Sequence, residues 1–326
     1  MKTKKIQHHV LWLWLALLLI VLLSLMAGKF PLSLGGLVAG EEQQLRVFLT
    51  LRLPRTLMAA AGGFGLGIAG MVYQMVLRNP LASPDMVGVT SGASAGAAFA
   101  ILFLGSSFFA VTACAFLGSM AALLVALLLS ALSAGRNNSS LILAGIAVHS
   151  VAQTILMLLK LCADPERELA SIEYWIMGSL NGITLEKIPS SLLLVAVCTL
   201  ILALLYRQIL LLSMDEDEAA LLGVPVAKMR LLILILATLI VSAIVSVTGI
   251  ISFIGLLAPH CARLLNSDSR RETFWFSGMI GSTLLCLADI LARTAAASEL
   301  PVSVFTSLLG APFLLFLLMK GGVARD

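Results

Sequence analysis

Ten apolar stretches, each near the length that crosses a bilayer, leave this chain few ways to fold except within a membrane. A helix needs about 20 apolar residues to span the hydrocarbon core. Segments 10–27, 54–77, 86–104, 109–132, 141–161, 190–212, 228–248, 250–266, 273–293 and 303–320 supply such runs in turn. Lipid offers no partner for an exposed peptide group, so each run is expected as a helix and the fold class as all-α and polytopic. Segments 86–104 and 250–266 carry Gly, Ser and Pro, which are tolerated only where protein or a water-filled cavity surrounds the backbone. Of the 326 residues, 60% are hydrophobic and 12% charged, against about 25% charged in a soluble domain. That balance excludes a soluble enzyme, a disordered chain and a coiled coil. A net charge of only +4, scattered along the chain, excludes a nucleic-acid surface.

The start, Met1-Lys-Thr-Lys-Lys followed by an apolar run from Val10 to Ala27, is longer than a signal-peptide core and is read as a retained first helix. Ten spans put both termini on one side. With that side cytoplasmic, it holds thirteen Lys and Arg residues and the outer side holds eight, which favours termini inside. Arg52, Arg55 and Arg293 run against the bias at outer helix ends. The five cysteines are odd in number and lack CxxC or CxxH spacing, so they read as small apolar residues packed in helices.

The richest stretch runs from Leu51-Arg-Leu-Pro-Arg-Thr to Arg78-Asn-Pro-Leu-Ala-Ser-Pro-Asp-Met-Val-Gly-Val-Thr-Ser-Gly-Ala. Pro54 suits the first turn of a helix, where its missing N–H costs nothing. Gly63 and Gly67 form a GxxxG pair, and Gly88, Gly92 and Gly96 are expected as a second ladder for close helix packing. No GxxxxGK[ST] occurs, so the chain has no P-loop, and neither HExxH nor GxSG is present. Asp215-Glu-Asp-Glu218 opens a short segment that Gly223 and Pro225 should end, with the acids favouring the positive end of the helix dipole. His149 lies inside a span beside Ser150 and Gln153, where a polar group is a functional candidate. Residues 163–187 mix charge with Tyr174-Trp175, an aromatic pair suited to the membrane interface.

These motifs resemble, in order and spacing, the permease subunits of binding-protein-dependent ABC importers for iron-siderophores, haem and cobalamin (the FecCD/vitamin B12 class). The resemblance rests on RLPR, RNPLASPDMVGVTSGA, the acidic stretch before Ala219-Ala-Leu-Leu-Gly-Val, and Gly249-Ile-Ile-Ser-Phe-Ile-Gly-Leu-Leu-Ala-Pro-His-Cys-Ala-Arg. Ala288-Asp-Ile-Leu-Ala-Arg and Glu299-Leu-Pro-Val-Ser-Val-Phe-Thr-Ser-Leu-Leu-Gly-Ala-Pro-Phe complete it, so it covers residue 45 to the C-terminus. It implies the type II ABC importer permease architecture in a single transmembrane domain, residues 1–326, within the inner membrane of a bacterium.

The same resemblance implies a homodimer with a central pathway, working by alternating access with two ABC ATPase subunits and a periplasmic or lipid-anchored solute-binding protein. ATP and Mg would belong to the ATPase, and this chain is expected to hold no cofactor or metal and to be no enzyme. Within the cytoplasmic segment 213–228, Asp215, Glu216, Glu218, Leu221, Leu222 and Gly223 are the expected ATPase contacts. Arg52, Arg55 and Arg293 are expected to accept acidic residues of the binding protein, since the guanidinium fork matches a carboxylate. The alternative for Arg293 is an i,i+4 pair with Asp289, and for Arg52 and Arg55 it is snorkelling to the interface. Asn138, Ser139, His149 and Gln153 are the expected pathway or gate residues, with a helix–helix hydrogen bond as the alternative for His149. His260, in the PHxxR motif, is read as structural. A small oxyanion such as molybdate is the alternative cargo, and a stand-alone secondary transporter the alternative mechanism.

Overall fold

The computed structural model describes residues 2–133, 138–214, 216–223, 225–265 and 270–319, so Asp215 and Asn137 lie outside the described residues. Every regular element among the described residues is a helix. In order come α1 (Lys2–Met26), α2 (Leu34–Val38), α3 (Glu42–Val47), α4 (Leu53–Val76), α5 (Val89–Phe103), α6 (Phe108–Leu132), α7 (Asn138–Cys162) and α8 (Glu168–Ile176). There follow α9 (Pro189–Leu204), α10 (Tyr206–Leu212), α11 (Glu216–Leu221), α12 (Val226–Thr248), α13 (Ile254–Leu265), α14 (Arg270–Thr294) and α15 (Val302–Met319).

Among the described residues, five helices are long and apolar enough to cross a membrane, and α9 with α10 makes a sixth if that bent pair is one span. Four shorter apolar helices, Val10–Met26, Val89–Phe103, Ile254–Leu265 and Val302–Phe316, fall where the other expected spans lie. Their shortness has local causes. A 3-10 turn, Pro84–Val87, takes the start of the expected span 86–104, and Gly88 caps it at φ 82. Gly249 (φ 72) and Phe253 (φ 67) break the chain before α13, which therefore begins at Ile254 rather than residue 250. The expected span 190–212 bends by 66° between α9 and α10.

Two compact units make up the chain. The first comprises Met1–Ile68, Ser179–Leu193 and Ile251–Asp326. In it α14 packs on α1, α13 and α15. Ala258 and Ala262 of α13 meet Phe276 and Ile280 of α14, with Val10 and Leu13 of α1 against them. The α4–α14 crossing is set by glycine. A Cβ on Gly63 would run into the Gly281 carbonyl oxygen, one on Gly281 into that of Gly63, and one on Gly67 into that of Ser277. The GxxxG pair thus does what small residues do in lipid, letting backbones touch. Ser282 adds a hydrogen bond to the Ala60 carbonyl at 2.6 Å.

The second unit comprises Ala69–Gly178 and Leu194–Ile250, built on α5, α6, α7 and α12. Gly92 and Gly118 are in mutual backbone contact between α5 and α6, and Gly96 meets the Cys114 carbonyl. Gly88 does not extend this ladder. It is a left-handed cap, and with Gly145 of α7 it lets the 84–88 turn lie directly on the α7 backbone. Asn79 shapes the preceding loop by accepting from the Leu81 amide at 2.9 Å. Two buried hydroxyl pairs tie α12 to its neighbours, Tyr73 with Thr238 at 2.5 Å and Ser119 with Ser242 at 2.6 Å. Thr238 gives its own proton to the Leu234 carbonyl, so Tyr73 is the donor in the first pair.

Because the α4–α14 contact is backbone on backbone, a bulky side chain has nowhere to go. Gly281→Leu is expected to destabilise by about 1–3 kcal/mol or more, lowering the thermal unfolding midpoint in detergent. Gly35→Leu, with open space around it and ordinary helical backbone, controls for glycine loss without packing. Equal effects of the two would refute the close-approach account.

Candidate functional site

The three arginines singled out by sequence come together in the first unit. A π-helical turn, Phe48–Arg52, joins α3 to α4, so the helix runs unbroken from Glu42 to Val76. Pro54 is therefore not in a first turn, as expected, but just beyond this widened turn. A π-turn bonds five residues back, here Leu53 N to Phe48 O, and eases the loss of an N–H in the next turn. Arg52 and Arg55 project from this region, and Arg293 from the last turn of α14.

None of them snorkels. Arg52, Arg55 and Arg293 are 6%, 7% and 3% exposed. Arg55 Nε donates to Asp289 Oδ1 at 2.7 Å, and its Nη1 donates to Glu299 Oε2 at 2.8 Å. Asp289 is fully buried and also pairs with Arg293 at 3.1 Å, the i,i+4 contact weighed in the sequence. Arg293 Nη2 donates to Ser24 Oγ at 2.5 Å, and Ser24 meets Thr56 at 2.8 Å, so the network joins α1, α4 and α14. Arg293 Nε and Nη1 find no hydrogen-bond partner among the described residues. Arg52 lies over Gly28, where a Cβ would collide with the guanidinium, and donates to the Phe30 carbonyl at 3.0 Å. Arg52 makes no ion pair among the described residues. Lys29 reaches the Ala297 carbonyl.

These groups line a cavity of about 350 Å³ with Lys29, Arg52, Arg55, Arg293 and Glu299 on its walls. Four cations face two carboxylates, counting Asp289 behind Arg55. The excess positive charge suits an incoming carboxylate or other anion. Local spacing could not show that Arg55 has acidic partners, because they lie 234 and 244 residues away. Glu299, Lys29, Ser24 and Thr56 went unassigned. Ser24 was the one signal within reach, as the single hydroxyl in the apolar run of 10–27.

The other expected residues lie in the second unit. Glu216 opens α11 and Glu218 is exposed on it. Leu221 is 87% and Leu222 61% exposed, while Ala219 is buried. Gly223, at φ 79, ends the helix as expected. Arg78 Nη1 donates to the Met214 carbonyl ahead of α11 at 3.3 Å. Asn138 and Ser139 begin α7, with Ser139 exposed, and His149 and Gln153 are half-buried further along it. His149 Nδ1 has no hydrogen-bond partner among the described residues. Ser150 and Thr154 are exposed on α7, each bonded to a carbonyl one turn back. His260 bonds back to the Leu256 carbonyl of its own helix at 2.9 Å, in keeping with a structural part. Ahead of α8, Asp164 Oδ1 accepts from the Glu166 and Arg167 amides, and Glu173 pairs with Lys160 of α7 at 2.8 Å.

Among the described residues, this many apolar helices with a charged cavity at one helix end make a polytopic membrane protein, and the comparisons place it more closely. The FecCD transport family matches residues 16–320, and the chain belongs to that family. It is 35% identical over 324 residues to the hemin transport system permease protein HmuU of Yersinia pestis, covering 95% of this chain and 96% of the relative. It is 37% identical over 270 residues to the ferric enterobactin transport system permease protein FepG of Escherichia coli, covering 82% and 81%. It is 33% identical over 324 residues to the molybdate import system permease protein MolB of Haemophilus influenzae, covering 95% and 96%. An ABC transporter assigned to the metal-chelate type, solved in an inward-facing conformation, superposes with a TM-score of 0.89 at 33% identity, over 96% of this chain and 99% of that one. The fold is thus that of type II ABC importer permeases, and the chain is a multi-pass membrane permease.

Removing Asp289 would leave two buried guanidinium groups without their shared anion. Asp289→Ala is expected to cost about 3–5 kcal/mol, read as a large fall in unfolding midpoint. Arg46→Ala, which breaks the exposed Arg46–Glu42 pair at 3.1 Å, should cost under about 0.5 kcal/mol. Comparable losses in the two variants would contradict the internal role assigned to the Asp289 network.

Proposed function

We propose that this chain is the translocating subunit of a binding-protein-dependent ABC importer for a metal chelate of the iron-siderophore, haem or cobalamin class. Two copies form the pathway, and both termini are cytoplasmic. A solute-binding protein, periplasmic or lipid-anchored, docks outside, and two ATPase subunits supply hydrolysis with their own ATP and Mg. The observation that carries the reading is the cationic cavity at the Arg52, Arg55 and Arg293 end. A transport protein whose apolar helices meet lipid has little use for excess buried positive charge unless an acidic partner meets it. The arginines act from the cavity wall, so the partner must insert a carboxylate rather than meet side chains standing free.

At the cytoplasmic end, Leu221 and Leu222 offer the ATPase an exposed apolar tip, with Glu218 exposed on the same short helix and Gly223 turning the chain back; Asp215 and Glu216 are assigned to this contact from the sequence alone. Arg78 braces the segment through the Met214 carbonyl. Ser139, His149 and Gln153 of α7, with Asn138 assigned from the sequence alone, are the pathway residues of this reading, and Ser150 and Thr154 put hydroxyls on an otherwise apolar exposed surface of the same helix. Those hydroxyls are satisfied within the helix, so they give weak, replaceable contacts to cargo or water. Molybdate is the second reading for cargo, favoured by the relative that matches over 95% of the chain.

Uptake into proteoliposomes containing this chain, its ATPase and its binding protein should need ATP and the binding protein together. Labelled siderophore, haem, cobalamin and molybdate compared side by side identify the cargo. Leu221→Ser with Leu222→Ser removes only exposed side chains, so the subunit should still fold while transport falls at least tenfold. Gradient-driven uptake by this chain alone would defeat the reading in favour of a secondary transporter.

A further inference from the structure

Glu299 occupies a position the docking reading does not use. Residues 295–301, between α14 and α15, form a strap without helix that borders the cationic cavity. Hydrogen bonds from several sides hold it. Lys29 Nζ donates to the Ala297 carbonyl, Arg55 Nη1 to Glu299 Oε2 at 2.8 Å, and the Leu300 amide to the Ala292 carbonyl at 3.0 Å. The two acids on Arg55 differ in one decisive respect. The Asp289 side chain is 0% exposed and fixed on a helix, whereas that of Glu299 is 29% exposed and sits on the strap. A carboxylate entering the cavity cannot reach the Asp289 side of Arg55, but the Glu299 side faces it.

We propose that Glu299 is a built-in stand-in for the docking carboxylate, holding Arg55 in the resting state and yielding it when the binding protein arrives. The inference rests on the docking reading and adds its regulation. Exchange of one carboxylate for another leaves Arg55 paired at every stage, so no buried cation is uncovered on the way. The displaced strap leads through Pro301 directly into α15, which starts at Val302, so the exchange at the cavity also frees the leading end of a membrane helix. Glu299 thereby sets the affinity of the site from within, and keeps the cavity from capturing stray anions.

The test uses the full transporter in lipid nanodiscs and its solute-binding protein, with affinity measured at fixed salt. Glu299→Gln should tighten binding about fivefold, the worth of a part-exposed ion pair of about 1 kcal/mol. Glu299→Asp keeps the charge but withdraws it by one methylene from Arg55, and should tighten binding as well. Glu186→Gln, at an exposed acid on the 179–193 segment, reports the effect of net charge alone and should leave affinity unchanged. If Glu299→Gln tightens binding while Glu299→Asp behaves as wild type, the effect is a field and not an exchange, and the stand-in role is overturned. Arg55→Ala separates the two layers. Loss of binding in it with no response in either Glu299 variant overturns the stand-in alone, whereas unchanged binding removes the docking reading and the stand-in with it. Unfolding midpoints of the Glu299 variants should fall only slightly, by the worth of that part-exposed pair, since Asp289 still holds Arg55.

Discussion

Everything at the charged end of the first unit depends on one carboxylate, Asp289, set where water cannot reach it. A lone anion in that position would cost several kcal/mol, and the two guanidinium groups that meet it at 2.7 and 3.1 Å would be as costly without it. Each charge is tolerable only because the others are present. That mutual dependence fixes the end of α14 against α4 and, through Ser24, against α1. Burying such a cluster adds little net stability compared with apolar packing of the same volume. What it adds is register, since only one rotation of each helix brings all three groups together.

Elsewhere the helices are held by shape. Lipid tails are as apolar as leucine, so burying leucine gives little drive for helix association, and close backbone contact with a few hydrogen bonds must serve. The reciprocal glycine contacts of α4 with α14 and of α5 with α6 are the means. The hydroxyl pairs of Tyr73 with Thr238 and Ser119 with Ser242 are the buried hydrogen bonds that join α12 to its neighbours. By contrast α6 and α7 bury only 28% and 33% of their apolar windows, against 72% for α12. Their free faces are apolar, interrupted on α7 by Ser150 and Thr154.

The sequence disclosed what depends on neighbours along the chain and hid what depends on distant pairs. Apolar runs set the helices, Gly223 ended α11 where its left-handed φ was needed, and the GxxxG pair marked a helix contact. Gly88 had the same spacing as Gly92 and Gly96, yet it serves as a cap, because a preceding Pro84 turn claims it first. The π-turn before Pro54 left no trace in residue pattern, since a continuous and a newly started helix share the same composition there. The RLPR and ADxxAR stretches were legible as motifs. That Arg55 and Asp289 meet is a property of the α4–α14 crossing alone. Glu299 was visible as part of a motif, but its part at the cavity follows only from the strap returning to Arg55.

Placing one buried and one part-exposed acid on the same arginine divides two tasks that a single acid could not perform. Asp289 keeps Arg55 charged, oriented and soluble in its surroundings whatever happens at the cavity, and so pre-forms the receptor. Pre-formation lowers the ordering cost of association, but a pre-formed cation with a vacant fork would bind any anion. An exchangeable internal carboxylate resolves the conflict, because affinity then depends on the difference between the incoming acid and Glu299 rather than on the whole strength of an Arg–carboxylate pair. A partner supplying one carboxylate gains little at Arg55. One that also engages Arg52 and Lys29 gains everywhere else. Selectivity at such a site comes from the number and arrangement of acids on the partner, which suits a contact that must form and release in every transport cycle.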